Sequence, residues 1–454
     1  PPHARAGRPP GEPRAGFVLR KGDETMDSRN NTWGRGSLLY ALEGAVVGLA
    51  AGAVSVAYRL ALEGADQVLD SLLARAKGQG IALAAWFCAL CLLAFAVHCL
   101  LAWQPAIGGG GIPRVMGELQ GRFDPSWWRV LLAKFAGGTL CALAGLSLGR
   151  AGPSAQLGAM AGKGFSRLTG RPRQEERLLL TCGVAAGIAA TFNAPLAGLL
   201  FAGEVLRLDF RPRLLAPCMA AAVAADLVAS GAFGLTPIFR FPVQQQLPLS
   251  MGWMWLLLGI FLGLLGAFYN RVVEKAQNGY ERIGWRPGRL LLPFLAAGIA
   301  GLWLPSVLGG GTRLMAVLLG PLPGLGCLLG LLLAKMALSV LCFSSGAPGG
   351  LFLPVFSMGA LCGGIWAVVA VGLGMPGSWA ANCMVLAMAG LFAAVVRAPL
   401  TATVLCLEMT GSFGQLLSIA VVCITAWAVT GWLGIQPVYS RLLERLAKPG
   451  QNRA

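Results

Sequence analysis

The sequence predicts an all-α membrane protein, a polytopic bundle of tilted and half-length helices built as two related halves. Three observations carry this. Charge is too scarce for a water-soluble globule. Apolar runs of spanning length alternate with shorter ones broken by Gly and Pro. An internal repeat keeps polar residues in register.

Of 454 residues, 56% are apolar and only 12% charged, and the mean hydropathy is +0.68. Soluble domains carry roughly 25% charged residues, about twice this fraction. So few charges cannot cover a surface facing water, and lipid must be the solvent for most of the chain.

Apolar runs of spanning length recur, for example Ile81–Trp103, Val130–Leu148, Met251–Tyr269, Gly324–Phe343 and Leu416–Leu433. Each approaches the ~20 residues a transmembrane helix needs. Gly152–Gly164, Pro195–Leu206 and Gly349–Gly363 are shorter and broken, and read as half-helices or re-entrant segments. Broken backbone at membrane depth survives only where protein buries it or where it lines a wet cavity. That favours a transporter or channel over a simple anchor.

The formal charge of +17 does not indicate nucleic acid, because the basic residues lie in the termini and short loops: Arg5–Arg35, Arg167–Arg177 and Arg441–Arg453. Positive-inside topology accounts for them and places both termini in the cytoplasm, with an even number of crossings. The 12 cysteines sit nearly all in apolar runs. Cys88 and Cys91, with His98 and Cys99 nearby, form a C-x-x-C in a run of Leu, Ala and Phe, where Cys acts as a packing residue. His3 is the other histidine, and no zinc or haem spacing appears. No metal or cofactor is expected.

Residues 1–36, rich in Arg, Pro and Gly, read as a flexible basic cytoplasmic tail without a signal peptide, in which Met26 is a candidate native start. The transmembrane domain is expected over residues 37–448, with halves at about 37–235 and 251–448. A basic helix, Ser440–Lys448, and a short tail, 449–454, follow, with no second soluble domain.

The repeat is explicit. Leu131–Ala159 and Leu332–Ala360 have equal length, both open with LLAK, and both carry Leu-Cys at the same place (Cys141, Cys342). Both pass through a Gly-rich break and close with P-x4-G-A, from Pro153 and Pro354. Ala194-Pro195-Leu196 precedes Glu204 by the same interval as Ala398-Pro399-Leu400 precedes Glu408. A frame shared by Lys, Cys, Pro, Gly and Glu marks a gene duplication. Interrupted helices at matching positions of two halves point to a binding site at their interface, near mid-membrane.

The breaks are Gly108–Pro113, Gly149–Pro153 and Gly346–Pro354, each preceding an apolar helical segment. Pro suits a first helical turn, whose N–H lacks a partner in any case. Helix starts leave backbone N–H groups free and carry the positive end of the dipole. Several starts meeting inside the membrane make an anion site without a formal charge, weak enough for the ion to leave.

These segments resemble the CLC family of chloride channels and proton-coupled chloride transporters. GGGIP (Gly109–Pro113), GRAGP (Gly149–Pro153) and GLFLP (Gly350–Pro354) are similar to its GSGIP, GREGP and GxFxP motifs. FNAPLAG (Phe192–Gly198), RAPLTA (Arg397–Ala402) and the late Tyr439 in Pro437–Ser440 also fit. The likeness runs from about residue 37 to 448 and is of the bacterial type, without cytoplasmic CBS domains. It implies two inverted halves, a homodimer and a separate pore in each subunit. It implies anion contacts from the backbone near Arg150, Ala151 and Gly152 and near Leu351, Phe352 and Leu353. It adds Gly110 and the Tyr439 hydroxyl to the same site.

Three departures from the family pattern stand out. The gating, proton-carrying Glu of GREGP is Ala151 here. The Ser of GSGIP is Gly110, which opens selectivity to nitrate, bromide or fluoride beside chloride. The inner proton-transfer Glu should follow Glu204, and Val205 stands there. The expectation is therefore passive, proton-uncoupled anion conduction through a multi-pass protein of the inner membrane. The alternatives are a coupled exchanger using another carboxylate such as Glu204, or the gate-removed variant of an exchanger. An enzyme is not expected, since no catalytic dyad or metal cluster is visible. Lys134 and Lys335, at equivalent repeat positions inside apolar runs, either raise the pore's positive potential or pair with Glu204, Glu408 or backbone carbonyls. Glu204 and Glu408 read as structural partners.

Overall fold

The computed structural model describes residues 33–77, 80–207, 212–235, 237–239, 241–243 and 247–447. The expectations for most of the 1–36 tail, including His3 and Met26, for Lys448 and for 449–454 lie outside these residues. Among the described residues the structure is helical, with no β-strand. The first half holds α1 (Trp33–Ala76), α2 (Gly80–Trp103), α3 (Ile112–Leu119), α4 (Trp127–Leu143), α5 (Ala151–Leu168), α6 (Arg173–Phe192), α7 (Pro195–Glu204) and α8 (Pro212–Phe233). The second holds α9 (Gly252–Arg282), α10 (Arg286–Trp303), α11 (Thr312–Leu319), α12 (Leu325–Ser344), α13 (Phe352–Gly372), α14 (Ala380–Val396), α15 (Pro399–Thr410) and α16 (Leu416–Trp432), followed by α17 (Val438–Ala447).

Eight described helices are long and apolar enough to span a membrane. Others, such as α3, α7 and α11, are half that length or less. Three boundaries differ from expectation. Val130–Leu148 is not one span: α4 stops at Leu143, and Gly145 turns the chain with a φ of 75°. A hydropathy average does not register that turn. The segment expected at Gly349–Gly363 continues to Gly372 and has spanning length, and α1 starts at Trp33, inside the expected tail.

Local signals explain the half-helices. Asn193 and Arg397 end α6 and α14 in the left-handed region, with φ of 50° and 67°. Pro195 and Pro399 then open α7 and α15 at their first position. A left-handed residue stops one helix and a proline with preset φ starts the next, so the chain reverses within two residues. Arg397 is held there by a hydrogen bond from its guanidinium to the Trp427 carbonyl at 2.8 Å.

Matched helices make matched contacts. Gly44, Gly48 and Gly52 of α1 lie against Pro217, Ala221 and Ala225 of α8, so the two run parallel at backbone contact. Gly259 and Gly263 of α9 lie against Thr425 and Val429 of α16 in the same sense. Such small-residue contacts are how membrane helices pack without hydrophobic drive. Glu204, at the end of α7, accepts from the amides at the start of α15, while Glu408, at the end of α15, accepts from those at the start of α7. These equivalent helices are therefore antiparallel, and the two halves are inverted.

Contacts also join the two ends of the described chain. Leu443 of α17 packs near Gly117 and Phe123. Asp124 then pairs with Arg167, and Arg171 pairs with Glu43 near the start of α1. The start of α1 and α17 thus lie on one face. Since α8 runs parallel to α1, Phe233 at its end lies toward the opposite face, under the Arg59 guanidinium.

Candidate anion pathway

The three Gly-rich breaks meet in the interior. The Gly109 amide donates to the Gly346 carbonyl at 3.0 Å, and the Gly349 amide donates to the Gly109 carbonyl at 3.1 Å. Gly149 and Gly350 form a two-residue antiparallel bridge, with amide-to-carbonyl distances of 2.6 and 2.8 Å. Gly110 closes the set, its carbonyl oxygen lying 2.4 Å from where a Cβ on Gly152 would stand. Only glycine permits this approach: a Cβ on Gly350 would stand 3.1 Å from the Gly152 nitrogen, and one on Gly149 would stand 3.0 Å from the Leu353 nitrogen.

The bridge thus joins the starts of α5 and α13. Arg150 and Leu351 are their N-cap residues, and neither start has a side-chain cap. The first bonds back to the caps come from Ser154 and Val355. The amides of Ala151, Gly152, Phe352 and Leu353 precede those bonds, and each helix brings roughly half a positive charge to its start. Ala151, Leu351, Phe352 and Leu353 are all buried. The start of α3, after Gly111 at φ 86°, brings a third end to the same place.

Tyr439 completes the cluster. It is buried, and its ring lies 6.5 Å from that of Phe352. Its hydroxyl is buried without a hydrogen-bond partner among the described residues. Buried hydroxyls are nearly always satisfied, so an orphan one calls for a partner such as water or an ion. The Phe352 ring is the hub of an aromatic core, with Phe192, Phe201 and Phe392 at 6.2, 5.4 and 4.7 Å. Its ring therefore serves packing, while its backbone belongs to the α13 start.

Two cavities abut this constriction from opposite faces. One, of about 390 Å³, is lined by Gly149, Arg150, Gly349 and Leu353 together with Tyr58, Arg59, Glu63 and Asp66. The other, of about 560 Å³, is lined by Gly108–Gly110, Arg114, Gln277, Tyr280, Ser344–Gly346 and Arg445. Arg150 is held 3.8 Å from Glu63, which also pairs with Arg59. Uncapped amide donors thus lie between two vestibules, chemistry suited to holding a small anion.

The remaining candidates lie elsewhere. Val205 is the buried C-cap residue of α7. Glu204 accepts from the Leu400 amide, the Thr401 amide and the Thr401 hydroxyl, at 3.2, 2.7 and 2.7 Å. Both of its oxygens are engaged, and it lines neither cavity. Lys134 donates to the carbonyls of Ile107 and Gly109, at 2.7 and 2.6 Å. Lys335 donates to those of Val307 and Gly309, at 2.9 and 2.7 Å. Both lysines are fully buried and brace the turns before α3 and α11, which answers the choice left open by the sequence in favour of backbone carbonyls.

Sequence reasoning missed the counterpart of the first break. Gly309-Gly310-Gly311 precedes α11 as Gly109-Gly110-Gly111 precedes α3, with φ of 60° and 115° against 66° and 86°. The spacing from Lys335 was the available signal. It parallels that from Lys134, but the Ile-Pro that marks the first break is Thr-Arg in the second.

The family model described as "Voltage gated chloride channel" matches residues 92–431. The chain is 34% identical over 434 residues to the H(+)/Cl(-) exchange transporter ClcA of Yersinia pestis bv. Antiqua (strain Angola), covering 92% of this chain and 90% of that protein. It is 35% identical over 389 residues to ClcA of Cronobacter sakazakii, covering 80% and 82%. Among solved structures, a slow cyanobacterial Cl-/H+ antiporter superposes with a TM-score of 0.86 at 27% identity, covering 91% of this chain and 99% of that one. A CLC-type fluoride/proton antiporter shares the fold, with a TM-score of 0.72 at 24% identity, covering 87% and 95%. With its bridge of helix starts, its inverted halves and these relatives, the chain belongs to the voltage gated chloride channel family, the CLC proteins.

Proposed function

We propose that this protein carries chloride and other small monovalent anions across the bacterial inner membrane passively, without moving protons. The observation that carries this is the start of α5. Uncapped amides gather there beside those of α13, whose Phe352 ring stacks 6.5 Å from that of Tyr439 with its orphan hydroxyl, and the residue at the helix start is the buried, non-titrating Ala151. Methyl cannot take a proton, and it cannot occupy an anion site as a carboxylate does. Val205 supports the same conclusion, because it leaves no carboxylate where the family's inner proton carrier stands. Gly110 offers backbone alone, which suits a site of broad anion tolerance.

We assign the transmembrane domain to residues 37–448, with one pathway per chain in a homodimer, no cofactor and no enzymatic activity. The face bearing α17 and the start of α1 carries Arg122, Arg167, Arg171, Arg173 and Arg445, which supports its assignment to the cytoplasm. Proton-coupled exchange through another carboxylate is the second reading, favoured by the ClcA relatives named as exchange transporters. Glu204 is a poor carrier for it, with both oxygens engaged at the start of α15.

The test is chloride efflux from proteoliposomes with the external pH recorded. Chloride should leave when a potassium shunt is supplied, with no matching proton uptake. Proton pumping against its gradient, driven by chloride, would reject the uncoupled reading and leave anion transport standing. Absence of any anion flux would reject both.

A further inference from the structure

The larger vestibule is lined by three arginines that differ in what they touch. Arg289 donates to the carbonyls of Ile283 and Glu281. Arg445 donates to Gln277 and Asn278 and lies 3.6 Å from Glu281. Arg114 has neither a hydrogen-bond acceptor nor a carboxylate among the described residues, and its Nε is buried without a partner. It sits over the Phe123 ring, with the guanidinium carbon 5.7 Å from the ring centroid. It belongs to the first turn of α3, four residues after Gly110, and it lines the same cavity as Gly108, Gly109 and Gly110.

An arginine held in a membrane protein without an anionic partner is costly, and such residues mark ion pathways. Arg114 also borders a smaller cavity of about 260 Å³ shared with Glu118, Phe123 and Asp124, yet it pairs with neither carboxylate. The start of α3, Ile-Pro after a glycine turn, needs no cation at its N-terminal end, where a positive charge is unfavourable. We infer that Arg114 is the anion-recruiting residue of this vestibule, concentrating small monovalent anions at the inner approach to Gly110. Its guanidinium keeps donors free for an ion in transit, whereas those of Arg289 and Arg445 are engaged by the protein. A focused positive potential in a cleft raises local anion concentration and entry rate. It acts on occupancy at low anion concentration more than on the maximal rate. The inference rests on the anion-transport reading above and extends it to one residue.

The full chain is reconstituted, and flux of chloride and of nitrate is measured against concentration. Arg114→Gln should raise the half-saturating concentration about threefold to tenfold, with a smaller change in maximal rate. Arg114→Lys should stay near the parent. The difference should shrink in about 1 M salt, where the screening length falls to about 3 Å. Should Arg114→Gln fail to yield monodisperse protein, Arg114→Cys treated with thiol reagents decides the matter. A cationic reagent should restore low-concentration flux and an anionic one reduce it further, with the equally treated parent as control for its exposed cysteines. Equal half-saturation in Arg114→Gln and parent, or equal effects of the two reagents, would overturn the inference. A parent without flux strikes the proposed function instead and is seen before any variant is made.

Discussion

Replacing Glu204 separates a helix cap from a proton carrier. Its carboxylate accepts from the Leu400 amide at 3.2 Å, and from the Thr401 amide and hydroxyl at 2.7 Å each. Thr401 is fully buried, whereas the Leu400 side chain is exposed. Glu204→Ala therefore leaves two donors with no access to water, at about 1–3 kcal/mol each. With the Leu400 bond left out, the expected loss of stability is about 2–6 kcal/mol. Glu204→Gln keeps shape and one acceptor oxygen but exchanges a charged acceptor for a neutral one, at about 1 kcal/mol. For a chain of this size each kcal/mol moves the midpoint by about 1–2 °C, extrapolating the inverse scaling with length. Thermal unfolding of detergent-purified protein should show apparent midpoints about 2–12 °C lower for Ala and about 1–2 °C lower for Gln. Proton movement in proteoliposomes should stay absent in both. A Glu204→Gln protein with an unaltered midpoint and altered proton movement would refute the capping assignment and make Glu204 a carrier.

Other expectations follow from the same geometry. Tyr439→Phe removes an unpartnered buried hydroxyl, so thermal stability should hold or rise slightly. Anion affinity by calorimetry should fall about tenfold, the equivalent of one hydrogen bond to a charged acceptor. Gly350→Ala sets a methyl 3.1 Å from the Gly152 nitrogen and 3.3 Å from the Gly149 oxygen. It should cost about 1–3 kcal/mol by overpacking and close the pathway in flux assays. Asp124, in the loop after α3, accepts from Lys163, and that hydrogen bond chiefly holds its carboxyl below the ordinary aspartate value of 3.8. Its contribution is complete above the unfolded value and is lost as pH falls through the lower folded one. Asp124→Asn should therefore flatten the decline of thermal midpoint on acidification below about pH 4, and an unchanged decline would exclude that contribution.

Much of the architecture was legible because membrane solvation writes it into composition and spacing. Equal frames around Lys134 and Lys335 exposed the duplication, and the Gly-Pro breaks located the helix starts. The partners of the polar residues were not legible. Equal intervals from Pro195 to Glu204 and from Pro399 to Glu408 showed equivalence. Nothing in the string said that each carboxylate reaches the other half. Lys134 could not be read either, since backbone carbonyls are anonymous in a sequence. Val130–Leu148 misled because hydropathy averages over a turn made by one glycine. Nothing in the sequence marks out Arg114, because no motif signals an arginine without a partner; only the cavity around it does.

The exchange of carboxylates between α7 and α15 makes each half depend on the other. Neither half closes its own short helix; each borrows the acceptor from its neighbour. Within either half alone, the acid and the amides it caps lie at opposite ends of the same short helix. Two copies inserted in opposite senses satisfy both needs at once. The two halves are therefore interdependent at this seam, and neither short helix is finished without the other half.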